Sequence, residues 1–434
     1  MSDLSLPYGN SLLSLAIQDE WPGLVVLPKE VAPAQDVQRL VRSALDAPIA
    51  SPTLGKIAQP GMRVALIVDD YTRKTPVHQV LPFVLDELHA AGISPADTRI
   101  VIASGSHRRM SEAEIAARLG RAIANSYEVV NVSAEEQGQM LYLGETGVAS
   151  YAGYAGHGIP AWINRAVAEA DFRIGIGMIT PHLDAGFSGG AKIILPGVCG
   201  ITTIDAFHQA SAFIPENPLG NAEAPLRQSL EQFVSEKAPL HFIVNLVLTL
   251  KGKVFACVAG HAVQAHRRGV KYAREVYGVP VERRYPVVIA NCYPYDQDLW
   301  QSVKGMWCGD LLAEDGGMMI VVTAAPEGSL AHPSLPAYIG RNTEELLGEL
   351  LASKLPDPMV AATGIMISRL RQRIRLALVS AGLTRSEAQA MQIPLYNTVE
   401  EALAESIREL PVQERAGCLA VLPYAGATLP IYPT

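Results

Sequence analysis

Several short stretches of this chain hold residue types that could bind an anion or move a proton. The first is Asp69-Asp70-Tyr71-Thr72-Arg73-Lys74-Thr75-Pro76. It leaves an apolar run and enters a helical pattern, and a helix N-terminus attracts anions through its unpaired N–H groups. Arg73 adds a planar fork suited to a carboxylate or phosphate. The second is Gly105-Ser106-His107-Arg108-Arg109, where a loop histidine stands beside two cations. The third and densest runs from Gly175 to Lys192 and includes His182. It begins like a dinucleotide fingerprint, but Thr180 stands where the third glycine belongs, and Ile193 follows Lys192 where a P-loop needs Ser or Thr. What remains is a flexible anion cradle, Ala185-Gly186-Phe187-Ser188-Gly189-Gly190, ending in Lys192. The fourth is His208, in a helical pattern. The fifth is Trp300-Gln301-x-x-Lys304, where Gln301 and Lys304 share a helix face and could hold a carboxylate. Each has a plain alternative: a capped helix, an exposed histidine, a turn that needs glycine, a packed histidine, a solvated face. Their joint presence favours a site.

The elements that must position these residues are legible as apolar runs. Val64–Val68, Ile100–Ala103 and Phe172–Gly177 read as strands, each followed by one of the polar stretches. Val77, Val80, Leu81, Val84, Leu85 and Leu88 have helical spacing, with Thr75 as N-cap and Pro76 as first helical residue. Ser111-x-x-Glu114 opens a helix as a capping box. After a charged break at Gly278–Pro286 the alternation resumes: strand Val287–Ala290, a helix near Gln297–Met306, strand Met318–Val322, helices Thr343–Leu351 and Ile365–Ser380, and strand Cys418–Leu422. This rhythm predicts an α/β fold. The expected layout is two mixed α/β domains, residues 1–278 and 286–411, with the tail 412–434 completing the first and the active site in the cleft between them. Ligands of such sheets bind at the carboxyl ends of strands.

Composition narrows the function classes. Of 434 residues, 49% are hydrophobic and 18% charged, which excludes wholesale disorder. A net charge of −8 argues against a nucleic-acid partner. No apolar run reaches the roughly 20 residues of a membrane helix, so no membrane partner is expected. The five cysteines form no CxxC, which argues against a disulfide framework or thiolate zinc site and for a reducing cytoplasm. The N-terminal stretch lacks the pattern of a signal peptide.

Taken together, Asp70-x-x-Arg73-x-Thr75-Pro76, Gly105-x-His107-Arg108, Pro181-His182, Ala185–Lys192 with Ile194-Leu195-Pro196-Gly197, His208 and Gln301-x-x-Lys304 resemble the lactate racemase family. Lys192 lies ten positions after His182, and His208 sixteen after Lys192, as in that family. The resemblance implies an isomerase, a racemase or epimerase that inverts Cα of a small anionic 2-hydroxy acid. It also implies the nickel-pincer nucleotide (pyridinium-3-thioamide-5-thiocarboxylic acid mononucleotide with nickel), and partner proteins that synthesise it. Residue by residue, it implies Lys192 as the covalent tether, His208 as the nickel ligand, and Ala185, Gly186, Phe187, Ser188, Gly189 and Gly190 as the phosphate cradle. Asp70 joins this cofactor-binding set. His107 and His182 are implied as the acid/base pair, and Arg73, Gln301 and Lys304 as residues around the substrate carboxylate. The chemistry is consistent: a 2-hydroxy acid has a weakly acidic Cα–H, so hydride removal to a cofactor, with histidine taking the hydroxyl proton, is the easier route.

Three departures bear on the substrate. Trp300 precedes Gln301 where Tyr is expected, Arg109 follows Arg108 where Pro is usual, and no Trp follows Trp307. They imply a substrate other than lactate, such as malate or another larger 2-hydroxy acid, with Trp300 in the pocket wall and Arg109 on a second carboxylate. Two rival readings stand beside this one. Lys192 could carry pyridoxal phosphate as a Schiff base, or the protein could be a non-catalytic binder or carrier of the pincer cofactor.

Overall fold

In a computed structural model of the chain, residues 2–17, 23–146 and 158–433 are described. The chain divides into two units. One comprises residues 30–210 and 220–276, the other residues 1–29, 211–219 and 277–434.

The first unit is built on a six-stranded sheet. Val64–Asp69 lies near its middle, with Thr98–Ala103 and then Glu128–Asn131 on one side, and Phe172–Met178, Phe242–Leu248 and Val254–Gly260 on the other. All neighbours are parallel except the edge strand Val254–Gly260. Parallel strands are covered on both faces and so read as unbroken apolar runs. Accordingly Val64–Asp69, Phe172–Met178 and Phe242–Leu248 are buried along their whole length. The helix Val77–Ala90 packs Val77, Val80, Leu81, Val84, Leu85 and Leu88 into this core, as its spacing predicts. Burying each such side chain contributes roughly 1.5–3 kcal/mol. The cap differs from expectation. Pro76 takes the N-cap position, and the Thr75 hydroxyl is drawn to the Asp69 carboxylate instead. The Ser111–Glu114 capping box forms as read.

From Val64–Asp69 the chain steps outward through Thr98–Ala103 to Glu128–Asn131, then returns to the other side at Phe172–Met178. At such a reversal the loops leaving neighbouring strands diverge and open a crevice at the carboxyl ends. Asp70–Lys74, Ser104–Arg108 and Ile179–Lys192 follow the three strands around that point.

The second unit has a six-stranded, wholly parallel sheet in the order Leu395–Tyr396, Arg375–Val379, Ala313–Val322, Tyr285–Asn291, Leu419–Leu422, Leu24–Val25. A hairpin, Ser2–Tyr8 against Ser11–Ile17, places Leu6, Leu15 and Ile17 in the same core as Val287, Ile289 and Val421. Both chain ends thus belong here. The expected assignment of residues 1–29 and of the tail 412–434 to the first domain is corrected. Leu419–Leu422 lies between Tyr285–Asn291 and Leu24–Val25, so this sheet needs both ends of the chain. The helix expected over 365–380 is also corrected: it spans Pro358–Arg373, and Arg375–Val379 is a strand paired with Met318–Val322. A short apolar run such as RLALV is ambiguous until a pairing partner is known.

Candidate functional site

The loop after Val64–Asp69 is held from below by a largely covered arginine. Arg118, in the helix Glu112–Leu119, pairs with the Asp69 carboxylate, donates to the Asp69 carbonyl, and donates to the Arg73 carbonyl at 3.1 Å. Burial pushes Asp69 above the usual carboxylate range, against the opposing pull of Arg118 and the Thr75 hydroxyl. On this base the next residue, Asp70, turns its carboxylate to His107. The His107 Nδ1 lies 2.8 Å from Asp70 Oδ2, and Asp70 Oδ1 accepts from the Thr72 hydroxyl at 2.6 Å. Arg73 donates to the same hydroxyl at 2.9 Å. Burial alone would raise the Asp70 pKa, but the hydrogen bond and charge of His107, with Thr72 and Arg73, hold it below the ordinary value. Asp70, read from sequence as part of the cofactor-binding set, has both carboxylate oxygens on protein groups, one on His107 and one on Thr72. With Nδ1–H donated to a carboxylate, the basic lone pair of His107 falls on Nε2, an assignment drawn from its partner.

His182 stands on a two-residue strand, Pro181–His182, paired with Gly186–Phe187. Its Nδ1 accepts from the Asp184 N–H at 3.2 Å, and the Asp184 carboxylate lies 3.9 Å from the same nitrogen. In the neutral ring the proton then falls on Nε2, the reverse of His107.

The glycine-rich stretch differs from a flexible cradle. Gly186 has φ +70°, and a Cβ there would lie 1.8 Å from the Asn221 carbonyl oxygen. Gly189 has φ +76°, and its Cβ would lie 2.8 Å from Ile179. Only glycine satisfies both the backbone and the space. The Ser188 hydroxyl donates to Met178 O at 2.9 Å and accepts from Thr180 N at 3.0 Å. The N–H groups of Phe187, Ser188 and Gly190 are bonded to Ala185 O, Thr180 O and Asn245 Oδ1. These bonds hold the turn in a fixed shape and commit its Ser188 hydroxyl inside the protein.

That shape delivers Lys192 on a short 3-10 turn, Gly190–Ile193. The Lys192 ammonium sits 5.7 Å from the Phe207 ring, and Phe207 meets His208 edge-on at 5.5 Å between centroids. Burial pushes the Lys192 amine down to about 7; Asp184 opposes this, while Arg227 and Arg73 reinforce it. The same burial lowers His208, whose charge is opposed by Lys192 and His107 and favoured by Asp184. Lys192 thus lies in the field of Asp184 and Arg73, and His208 in that of Asp184, Lys192 and His107. His208, on the helix Ile201–Ser211, has Nδ1 2.8 Å from the Ile204 carbonyl, which assigns the lone pair to Nε2. Metal-ligating histidines are commonly oriented this way.

In the second unit Asp298 caps the helix Leu299–Leu312 through Gln301 N at 2.7 Å. Lys304 Nζ lies 2.5 Å from Gln301 Oε1 and 4.1 Å from the Tyr295 ring centroid, so the pair shares one face as its spacing predicts. Trp300 packs on His332 with centroids 4.2 Å apart. Arg109 departs from expectation. It is exposed and pairs with Glu136 at 2.7 Å, so a second substrate carboxylate would have to compete with that partner. Arg108 is likewise paired, with Glu114, and stacks 4.1 Å over Tyr71.

Among the described residues no group of three or more His, Cys, Asp or Glu side chains could hold a metal ion. A metal on His208 would therefore need donors that arrive with a cofactor, and soft sulfur or carbon donors suit a nickel centre. A buried amine of low pKa beside a pre-oriented histidine fits a tethered group of that kind. Sequence reading missed Asp184, Arg118, Arg227 and His266. Asp184 alone carried a signal, because it lies two residues from His182 inside the densest motif. Among the described residues no helix is long and apolar enough to cross a membrane.

Comparison with known proteins bears on the family and the fold. Residues 8–220 match the model of the lactate racemase N-terminal domain, and residues 283–423 that of the lactate racemase C-terminal domain. The lactate racemase of Thermoanaerobacterium thermosaccharolyticum is 32% identical over 336 residues, covering 76% of each chain. That of Lactiplantibacillus plantarum is 31% identical over 337 residues, again covering 76% of each. The solved structure of the lactate racemase apoprotein from Thermoanaerobacterium thermosaccharolyticum has a TM-score of 0.83 to this chain at 25% identity, covering 99% of this chain and 100% of that one. A protein from Thermotoga maritima shares the fold, with a TM-score of 0.66 at 19% identity over 93% of this chain and 100% of its own. With both domain models matched and relatives above 30% identity across three quarters of its length, this chain belongs to the lactate racemase family and is an isomerase.

Proposed function

We propose that this protein inverts Cα of a 2-hydroxy acid, with His107 and His182 as its acid/base pair and a nickel-pincer nucleotide tethered through Lys192. The observation that carries the reading is the convergence of Lys192 and His208 on the Phe207 ring, 5.7 and 5.5 Å from its centroid, with Asp184 acting on both and His107 on His208. When bound, the pincer nucleotide supplies an acceptor for the substrate hydride. Lys192 would hold it covalently, His208 through Nε2, and the pinned turn Ala185–Gly190 would shape the wall beside it.

The chain's own part is proton handling and orientation. His107 takes a hydroxyl proton at Nε2, and the Asp70 carboxylate stabilises the imidazolium that forms. His182 serves the opposite hand of the substrate. Arg73, steadied by Thr72, attracts the substrate carboxylate, and Gln301 with Lys304 keep the carboxylate-binding role implied by the family. A hydroxy acid with its carboxylate held has its Cα–H and hydroxyl fixed relative to the two histidines. With Arg109 engaged by Glu136, malate loses its specific support. Trp300 continues to favour a substrate other than lactate.

The test is twofold. Protein from a host that makes the pincer nucleotide is weighed intact, and a panel of 2-hydroxy acids is followed by chiral chromatography. A Lys192 adduct together with inversion of at least one panel member is expected. Adduct-bearing protein that inverts none of them would point to the carrier reading, and an adduct on another residue would remove the tether.

A further inference from the structure

Arg227 lies in the helix Pro225–Lys237 with no exposed surface. Its guanidinium donates to three main-chain carbonyls of a single turn: Nε to Ala185 O at 3.2 Å, Nη2 to Phe187 O, and Nη1 to Gly189 O at 3.2 Å. His266, also fully buried, lies with Nε2 2.9 Å from the Ser188 carbonyl, between the last two of these. The cation is backed by Glu231 at 3.8 Å, and Glu231 is held in turn by Arg267 at 2.7 Å. A buried guanidinium served mainly by neutral acceptors carries a desolvation cost that an apolar side chain would avoid. Helix packing alone therefore does not account for it.

What the arginine does is geometric. Its rigid fork meets alternate carbonyls only if the turn keeps the one conformation that the positive φ angles of Gly186 and Gly189 allow. The Gly189 carbonyl it grips also accepts from the Lys192 N–H, at 3.3 Å. The clamp and the lysine are thus one hydrogen bond apart.

We propose that Arg227 is a positioning residue for Lys192: by gathering the carbonyls of residues 185, 187 and 189 it fixes where the lysine main chain emerges, and so governs covalent loading of the cofactor. The inference rests on Lys192 being the tether. Arg227→Met and Arg227→Lys are compared with the unaltered protein by thermal denaturation, by amide hydrogen exchange of peptides spanning 185–195, and by intact mass after exposure to the nickel-pincer nucleotide. The expected result is a melting temperature within a few degrees of the parent and exchange at least tenfold faster, confined to that segment. The Lys192 adduct is expected to fall at least tenfold in Arg227→Met and to recover in part in Arg227→Lys. Folded variants with parental exchange and loading overturn the proposal. So does failure of both variants to fold, which would make Arg227 a residue of overall stability. If the parent itself bears no adduct on Lys192, the tether reading fails, while the exchange measurement still decides whether Arg227 fixes the turn.

Discussion

His107 and His182 follow the two strands that flank Val64–Asp69, and both rings use Nδ1 to meet the protein. Their partners are opposite. A carboxylate faces the Nδ1 of His107 at 2.8 Å, whereas a main-chain N–H donates to that of His182 at 3.2 Å. The first arrangement puts the ring N–H on Nδ1 and leaves the lone pair on Nε2. In the second the lone pair stays on Nδ1, and the Asp184 carboxylate lies 3.9 Å from that nitrogen. One residue type thus takes two settings, with Nδ1 facing a carboxylate at position 107 and accepting from a main-chain N–H at position 182. A reaction that starts from either hand of a substrate needs both settings.

The comparison can be broken most forcefully at the rings. His107→Asn and His182→Asn are each expected to lower turnover on the order of 10²–10⁴-fold. Retention of the Lys192 adduct, checked by intact mass, separates this loss from failure to load. If either variant keeps parental turnover, that ring is not part of the pair.

Next comes the carboxylate behind His107. Asp70→Asn is expected to lower turnover on the order of 10²-fold, because an amide can no longer hold the Nδ1–H tautomer against a negative charge. Enantiomers have an equilibrium constant of one, so kcat/KM must fall equally for both hands. The two kcat values, measured from each pure enantiomer, are expected to fall unequally. Equal losses in kcat would mean that the two sides are equivalent.

Asp184→Asn keeps the N–H donated to His182 and removes only the charge. A smaller loss, about tenfold, is expected, and the Lys192 amine should titrate lower still once its opposing charge is gone. Peptide mass spectrometry of Lys192 acylation against pH reads this directly. In the parent the midpoint is expected at about 7, well below an ordinary lysine. Between that value and the ordinary pKa of roughly 10.4 the unfolded chain holds a proton that the folded chain lacks, so stability should rise with pH across this window. Lys192→Met should remove that part of the slope; an unchanged slope would contradict the burial of the amine.

The smallest effect is expected outside the pair. Arg109→Ala should change KM for a dicarboxylic hydroxy acid less than twofold, because Glu136 already holds the guanidinium. A tenfold rise in KM would restore the second-carboxylate reading.

Much of this site was legible in one dimension because its parts are local. Loop motifs directly after apolar runs placed Asp70, Arg73, His107, His182 and Lys192 at strand ends, and helical spacing placed Gln301 beside Lys304. The clamps were not legible. Arg118 lies 49 positions from Asp69, and Arg227 lies 38 from Gly189, so no periodicity links them. Charged residues in a helical pattern read as solvated, and only packing shows that these two are covered.

By itself, then, the order of residue types determined the family and the α/β alternation and picked out the candidate side chains, since these depend on neighbours within a few positions. Tertiary structure alone decided that both chain ends complete the second sheet, that the glycine-rich turn is pinned, that Arg109 is neutralised by Glu136, and which nitrogen of each histidine carries its proton. Those outcomes turn on which distant group fills the last hydrogen-bonding position. That choice is made by sheet register and burial, which a linear pattern does not encode.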